Sequence, residues 1–151
     1  MANLKDPGIN IEFIRLAKAN IALVNTDGEK TFNLRLLALE RKESEDGKQL
    51  DLAAVFDVMH GVEKPIFNFT CEFVVRYKRE TDGGMAWKDF SSGMALAHII
   101  PYLREFVSNM TDRLPIPPLM LPPVNAFKMV ADDETLKADA GKEPPAAPVK
   151  A

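Results

Sequence analysis

The sequence predicts an α+β fold, in which a four-stranded antiparallel sheet is followed by a long helix, a proline-rich extended strap and a short second helix. Apolar residues alternate with other residues along several segments of the first half of the chain. After residue 90 the apolar spacing changes to three and four residues, and this segment ends in a dense run of prolines. Runs of strands followed by helices are typical of an antiparallel sheet with helices on one face.

The composition is that of one ordinary globular domain. The chain has 151 residues, of which 46% are hydrophobic and 27% charged, and its formal net charge is −3. A chain of this length usually forms one domain. Nucleic-acid-binding proteins usually carry a basic stripe, and the sequence shows none, so we expect no nucleic-acid partner.

The sequence shows no feature of an exported or membrane protein. Its N-terminal segment, Met1 to Gly8, has no apolar core of the kind that a signal peptide requires. No apolar run approaches the ~18–20 residues that span a bilayer. Cys71 is the single cysteine, which excludes an internal disulfide and suits a reducing compartment. We therefore expect a cytoplasmic protein without stable membrane insertion.

Four segments are predicted to be strands. The clearest is Ile66 to Lys78, in which aromatic and β-branched residues recur at every second position. Leu50 to His60 alternates in the same way, and so does the beginning of Phe32 to Arg41. The second half of Ile11 to Val24 is predicted as the remaining strand. A helix over Leu34 to Lys42 stays open as an alternative, because Leu, Arg, Ala and Glu favour helices.

Turns and loops are predicted between these strands, because glycine, asparagine and aspartate favour turn conformations. They are Asn25 to Gly28, Glu43 to Lys48, Gly61 to Pro65 and Thr81 to Gly84. One apolar face of the third and fourth strands needs only a core to explain it. We assign to that core Phe56, Val58, Phe67, Phe69 and Phe73.

A long amphipathic helix is predicted from Gly93 to Arg113, because its apolar residues are spaced by three and four. Ser91 or Ser92 is suited to cap its start. Pro101 removes one backbone donor and predicts a kink or an interrupted start. The helix ends by Leu114, because the following prolines cannot continue it.

The segment Pro115 to Pro123 contains five prolines in nine residues, which force an extended path. It also contains four large apolar residues, which a flexible linker would not need. We therefore predict a rigid strap laid on an apolar surface. A shorter helix is predicted over Val124 to Leu136, and a disordered tail over Lys137 to Ala151, which is poor in large apolar residues.

The helix and strap resemble those of the SecB family. Ile100-Pro101-Tyr102-Leu103-Arg104-Glu105 is similar to the Phe-Pro-Tyr-Ala-Arg-Glu segment of that family. Pro115 to Asn125 is similar to its Phe-Pro-x-Leu-x-Leu-x-Pro-Val-Asn-Phe ending, with Phe127 one position late for the final aromatic. Thr70-Cys71-Glu72 resembles Leu-Cys-Glu in the last strand, and the similar region covers Ile11 to Val130.

The resemblance implies a function and an assembly as well as a fold. The expected unit is a SecB-like chaperone domain over residues 1–130 with a tail over 131–151. The implied activity is ATP-independent holding of unfolded preproteins in long apolar grooves, for delivery to the SecA motor. The implied assembly is a tetramer, a dimer of dimers packed through the long helices. We expect no enzymatic activity, with a dyad of Cys71 and His60 or His98 as the alternative that stays open.

One departure from the family concerns motor binding. The family docks SecA through acidic side chains on the open sheet face, two on the first strand and one on the last. Glu72 matches the acid of the last strand, but the first-strand positions fall at Asn20 and Val24. Client holding is therefore better supported than delivery to SecA. SecB-like proteins also serve as dedicated chaperones of antitoxins in toxin–antitoxin systems, and this role is the alternative.

Candidate client-binding residues are apolar residues of the second strand, the strap and the second helix. Methionine suits such a site because it adapts to irregular shapes. These residues are Phe32, Leu34, Leu36, Leu119, Met120, Leu121, Phe127 and Met129. Simple packing of the strap on the sheet is an equally good explanation of its apolar residues. Val55 and Met59 lie on the second face of their strand. Two interpretations of them stay open: they bind clients, or a partner subunit covers them.

The oligomer interface is assigned to one side of the long helix, with Arg104 and Glu105 in ion pairs or caps at a subunit contact. The interface residues are His98, Tyr102, Phe106 and Met110. A different class of function, a subunit with one fixed partner such as an antitoxin or a phage-like structural protein, stays open. We assign no catalytic, metal or cofactor residues, because Cys71 falls among core residues and the sequence has no paired metal-ligand spacing or phosphate loop.

Overall fold

The computed structural model describes residues 8–25, 32–60, 65–79 and 85–131. It contains four strands: β1, Ile9–Leu23; β2, Phe32–Glu43; β3, Gln49–His60; and β4, Phe67–Arg79. They are followed by the helix α1, Ser92–Asp112, and by a short second helix, α2, over residues 126–131. The α+β prediction is confirmed. The turn predicted at Thr81 to Gly84 and the tail predicted at Lys137 to Ala151 lie outside the described residues. So do all but one residue of each of the turns predicted at Asn25 to Gly28 and Gly61 to Pro65, and the last five residues of the second helix predicted to end at Leu136.

The strands form one antiparallel sheet in the order β1-β4-β3-β2. β1 pairs with β4 along its whole length, whereas only its second half was expected to be a strand. Two register shifts, at Glu12 and at Ala17, explain the difference. Each extra residue reverses the alternation, so β1 has no continuous period of two in its sequence.

β2 is a strand and not the alternative helix. A bulge at Leu37 lets Leu36 pair with Phe56 and Leu39 with Ala54, so Leu36 and Leu39 face the same side of the sheet. Their separation of three residues imitates the spacing of a helix. The helical propensity of this segment is therefore overridden by pairing with β3.

One face of the sheet is the core face, as the alternation predicts. The apolar inward residues of the two central strands are buried: Leu50, Leu52, Ala54, Phe56, Val58, Phe67, Phe69, Cys71, Phe73, Val75 and Tyr77. Burial raises the pKa of the Cys71 thiol to about 12. The thiol therefore stays protonated at neutral pH and packs as a small apolar group.

α1 covers the core face. Ser91 caps its start by accepting a hydrogen bond from the Met94 N–H at 3.2 Å, and the helix runs without interruption through Pro101 to Asp112. Phe106 packs edge-on against Phe69 and Phe73, with ring centroids 5.4 and 6.2 Å apart. The side of α1 that faces the sheet is buried and consists largely of Leu96, Ile99, Leu103 and Val107.

The strap runs back along α1 after the helix ends, and it has two hydrogen bonds to the helix that fix its path. The Leu119 N–H donates to Thr111 Oγ1 at 2.8 Å, and Arg104 Nε donates to the Leu121 carbonyl at 3.0 Å. Leu119 and Leu121 are buried with the core. The predicted packing of the strap on an apolar surface is therefore observed.

We predict that Thr111→Val destabilises the fold. The buried Thr111 hydroxyl accepts from the strap and donates to the Val107 carbonyl at 2.8 Å. Valine has nearly the same shape but leaves the Leu119 N–H without its acceptor, at a cost of about 1–3 kcal/mol in the free energy of unfolding. Chemical denaturation measures this loss. Thr111→Ser keeps the hydroxyl and is expected to lose clearly less; equal losses would contradict this role of the hydroxyl.

Candidate functional site

The strap and α2 present apolar side chains to solvent along α1. Because Leu119 and Leu121 point inward, Met120 between them points outward and is 71% exposed. Pro122 and Pro123 follow and are exposed, and Phe127 on α2 is 58% exposed. We call residues 120–127 the apolar ridge. Large apolar groups held at a surface in this way commonly mark interaction sites.

The apolar ridge is long. Ser108 Oγ donates to Met120 Sδ at 3.0 Å, which places Met120 beside the C-terminal part of α1. Phe127 lies against Gly93, near the start of α1. Fifteen helical residues separate these two contacts, which is about 22 Å at 1.5 Å per residue. An extended peptide needs about seven residues to cover that distance.

Gly93 provides the space on α1 in which the Phe127 ring lies. A Cβ atom built on Gly93 would lie 2.5 Å from Cδ1 of the Phe127 ring, which is too close for any real contact. Two other residues of α2, Ala126 and Val130, are buried and hold this helix against the core. The Asn125 side chain caps α2 by accepting from the Lys128 N–H at 3.0 Å. Glycine at position 93 therefore lets the ring rest on the helix backbone.

The predicted client-binding residues divide between the two faces of the sheet. Phe32, Leu34 and Leu36 lie on the core face of β2, which is also the face that carries α1 and the strap. Val55 and Met59 lie on the opposite, open face. These two sets cannot line one groove.

The candidates on the core face also differ in exposure. Met120 and Phe127 are exposed, and three others are half-buried: Phe32, Leu34 and Met129. Leu36, Leu119 and Leu121 are buried. Leu119 and Leu121 belong to the strap itself and pack into the core, and a client would reach them only if the strap moved.

The open face is dominated by cross-strand ion pairs. Arg35 and Asp57 are 2.8 Å apart, and Arg76 bonds Asp51 through two nitrogens at 2.8 and 3.1 Å. The Arg76 guanidinium holds the pKa of Asp51 below its usual range. Val55, which lies on the same face, is half-buried. The open face is thus more polar than the apolar ridge.

Glu72, the candidate motor contact, also lies on the open face, directly opposite Lys18 of β1. Asn20 pairs in register with Thr70, and Val24 lies just beyond the end of β1. The first strand therefore brings a lysine, and no acid, next to Glu72.

The α1 residues assigned to the oligomer interface differ from one another in exposure and in contacts. His98 Nδ1 lies 2.9 Å from the Tyr77 hydroxyl, and burial lowers the pKa of this histidine. Tyr102 is 49% exposed, whereas Phe106 and Met110 are half-buried against the core. Their role in an interface stays a prediction. Arg104, expected at a subunit contact, bonds the strap of its own chain.

Several contributors were not foreseen from the sequence. Thr111, Ser108 and Gly93 fix the strap and α2, but only the position of the strap against α1 reveals this. Ile11, Leu16 and Leu23 of β1 are large apolar residues on the core face that remain exposed. The bulges of β1 hid their common face in the sequence.

The described residues offer no metal site, since no group of three or more His, Cys, Asp or Glu side chains in them is placed to hold an ion. None of the helices in the described part of the chain is long and apolar enough to cross a membrane.

Similarity to known proteins is clearest in the fold. The structure superimposes on a SecB-like chaperone of Mycobacterium tuberculosis, solved in complex with a ChAD peptide from the HigA1 antitoxin. The TM-score is 0.60, and the match covers 77% of this chain and 90% of that chain at 17% sequence identity. The chain has a SecB-like fold. At this identity, the superposition establishes the SecB-like arrangement of sheet and helices and nothing finer.

Other similarities are weaker. An uncharacterised protein of Methanocaldococcus jannaschii is 35% identical over 52 residues, which is 34% of this chain and 34% of that protein. The chain thus matches about a third of the length of that relative. A protein of unknown function from Streptococcus agalactiae is 14% identical, with a TM-score of 0.43 over 76% of this chain and 97% of that one. No protein-family model matches the sequence.

We predict that Gly93→Ala, in this SecB-like fold, fails to give the usual gain from replacing glycine in a helix. That gain is up to about 1 kcal/mol in the free energy of unfolding, but here the new methyl group meets the Phe127 ring. Denaturation of a double-mutant cycle measures the coupling. In a Phe127→Ala background, where the ring is absent, Gly93→Ala is expected to stabilise. The same gain in both backgrounds would show that the ring does not rest on Gly93.

Proposed function

We propose that this protein is an ATP-independent holdase, which binds unfolded or non-native polypeptide along the apolar ridge. The observation that carries the proposal is that Met120 and Phe127 are strongly exposed although hydrogen bonds and buried neighbours fix their backbone. A fixed apolar surface loses little conformational entropy when a client binds. The SecB-like fold also supports a holdase function.

The dimensions of the apolar ridge favour an extended client. Each ~100 Å² of apolar surface that a client buries contributes about 2.5 kcal/mol before ordering costs. A single exposed side chain is therefore too small to hold an unfolded chain, whereas a strip of about 22 Å allows several contacts. Methionine at one end and proline in the middle offer apolar surface without demanding one particular side chain.

Delivery to the SecA motor is less well supported than holding. Lys18 lies opposite Glu72, and Asn20 occupies a position where the family has an acid. A basic side chain next to Glu72 weakens its attraction for a basic partner. We therefore propose holding as the main function and delivery to SecA as a secondary one.

Self-association is proposed on the side of α1 away from the strap. Tyr102 is exposed on that side of α1, and the β1 residues Ile11, Leu16 and Leu23 leave further large apolar side chains exposed on the core face of the sheet. A second copy would cover them, in keeping with the tetramer, a dimer of dimers, that the family resemblance implies. The assembly surface and the client surface then lie on different sides of α1, in a protein that we propose to be cytoplasmic.

A dedicated antitoxin chaperone is the second candidate. The similar solved structure is a complex with an antitoxin peptide, and the apolar ridge would accept an extended apolar segment of an antitoxin as it would one of any other client. The absence of an acid at Asn20 and Val24, the positions that the resemblance assigns to motor binding, also favours a role without the motor. The two candidates share the apolar ridge and differ in how many clients it accepts.

We predict that Met120→Gln and Phe127→Gln each weaken holding several-fold. Glutamine keeps a side chain of useful length but places a polar amide where the client needs apolar contact. The measurement is light scattering of a chemically unfolded, unrelated protein diluted into buffer with each variant, at matched concentration and confirmed assembly state.

Val74→Gln is the matched control, because Val74 lies on the open face of the sheet. It is expected to hold clients as well as the unchanged protein. Loss of holding in Val74→Gln or Val55→Gln, with full holding in the ridge variants, would transfer the site to the open face. Suppression restricted to one partner, with none for unrelated proteins, would favour the dedicated chaperone.

A further inference from the structure

Met120 combines high exposure with a fixed position. Its side chain is 71% exposed, and its sulphur accepts a hydrogen bond from Ser108 Oγ at 3.0 Å. On either side of it, the Leu119 N–H and the Leu121 carbonyl are bonded to α1. The sulphur is therefore kept at the surface and cannot retreat into the core without breaking these bonds.

The other methionines of the described residues are better protected. Met59, Met85, Met94, Met110 and Met129 are all half-buried. Oxidation of methionine requires an oxidant to reach the sulphur, so exposure orders the rates within one chain. Met120 is expected to react first.

We propose that Met120 is a reversible oxidation site, and that its sulfoxide form weakens polypeptide binding at the apolar ridge. This inference rests on the proposed holding function. The oxidant is a hydroperoxide such as hydrogen peroxide. The thioether sulphur attacks one peroxide oxygen, an S–O bond forms and the O–O bond breaks. The departing hydroxide takes the proton of the transferred oxygen and leaves as water, so sulphur is oxidised and peroxide is reduced.

Oxidation of Met120 is expected to weaken client binding because it makes the side chain polar, and not because it unfolds the protein. The sulfoxide converts an apolar side chain into a polar one, at one end of the apolar ridge. Ser108 Oγ, which already donates to the sulphur, is close enough to donate to the new oxygen, a stronger acceptor than sulphur. The strap keeps its bonds to Thr111 and Arg104, so the fold survives while the client loses an apolar contact.

The test begins with the full chain and dilute hydrogen peroxide at neutral pH. Peptide mass mapping over time gives the oxidation rate of each methionine, and the aggregation assay gives holding at each time. The variants are Met120→Leu, which stays apolar and cannot be oxidised; Met85→Leu, a matched change at a half-buried methionine outside the candidate site; and Met120→Gln, a polar mimic that needs no oxidant.

We expect Met120 to gain oxygen several times faster than every other described methionine, and holding to fall several-fold in step with it. Met120→Leu is expected to hold clients equally well before and after peroxide treatment, whereas Met85→Leu is expected to lose holding under peroxide as the unchanged chain does. A methionine sulfoxide reductase is expected to restore holding in the unchanged chain.

The outcomes separate the two proposals. Oxidation of Met120 no faster than that of the half-buried methionines overturns the modification site, whatever the chain binds. Fast oxidation of Met120 with unchanged holding overturns the proposed effect, while a loss of holding in Met120→Gln would still support the apolar ridge. If the untreated chain holds no client, the proposed function fails and the mass mapping alone still decides whether Met120 is the reactive site.

Discussion

The attachment of the strap to α1 is the interaction on which the candidate site depends. Prolines deprive the strap of most of its backbone donors, so it cannot be held by a regular ladder of hydrogen bonds. Among the donors that remain, the Leu119 N–H is satisfied by the buried hydroxyl of Thr111, and the Leu121 carbonyl accepts from Arg104. Because one N–H and one carbonyl are fixed on either side of Met120, the inward and outward directions of the intervening side chains are fixed as well.

The attachment of the strap to α1 also determines which strap side chains are exposed to solvent. With Leu119 and Leu121 in the core, Met120 has no direction left but outward. At the other end of the strap, Ala126 and Val130 anchor α2, and Gly93 provides the space in which the Phe127 ring lies. The apolar ridge is therefore a consequence of how the chain packs, and its exposure does not require a disordered segment. Such preorganisation suits a surface that must bind many extended chains weakly and release them.

Much of the fold was predictable because β3, β4 and α1 follow simple periods. Leu50 to Val58 and Phe67 to Tyr77 alternate cleanly, and both faces were assigned correctly. β1 and β2 were harder because bulges at Glu12, Ala17 and Leu37 interrupt the alternation, and a bulge is decided by pairing with a neighbouring strand. The strap was predicted from composition alone, because its segment is dense in prolines and large apolar residues. It could not say which of Leu119, Met120 and Leu121 points outward, since that depends on the Thr111 and Arg104 bonds. The separation of Val55 and Met59 from the strap likewise required the observed position of α1.

The claim that clients bind on the apolar ridge is tested most directly by photocrosslinking. A photoreactive amino acid is placed at position 120 in one preparation and at position 55 in another, and each is mixed with the same chemically unfolded protein before irradiation. Binding along the apolar ridge predicts crosslinks to the client from position 120 and few or none from position 55, because the two positions lie on opposite faces of the sheet. Crosslinks from position 55 with none from position 120 would contradict it.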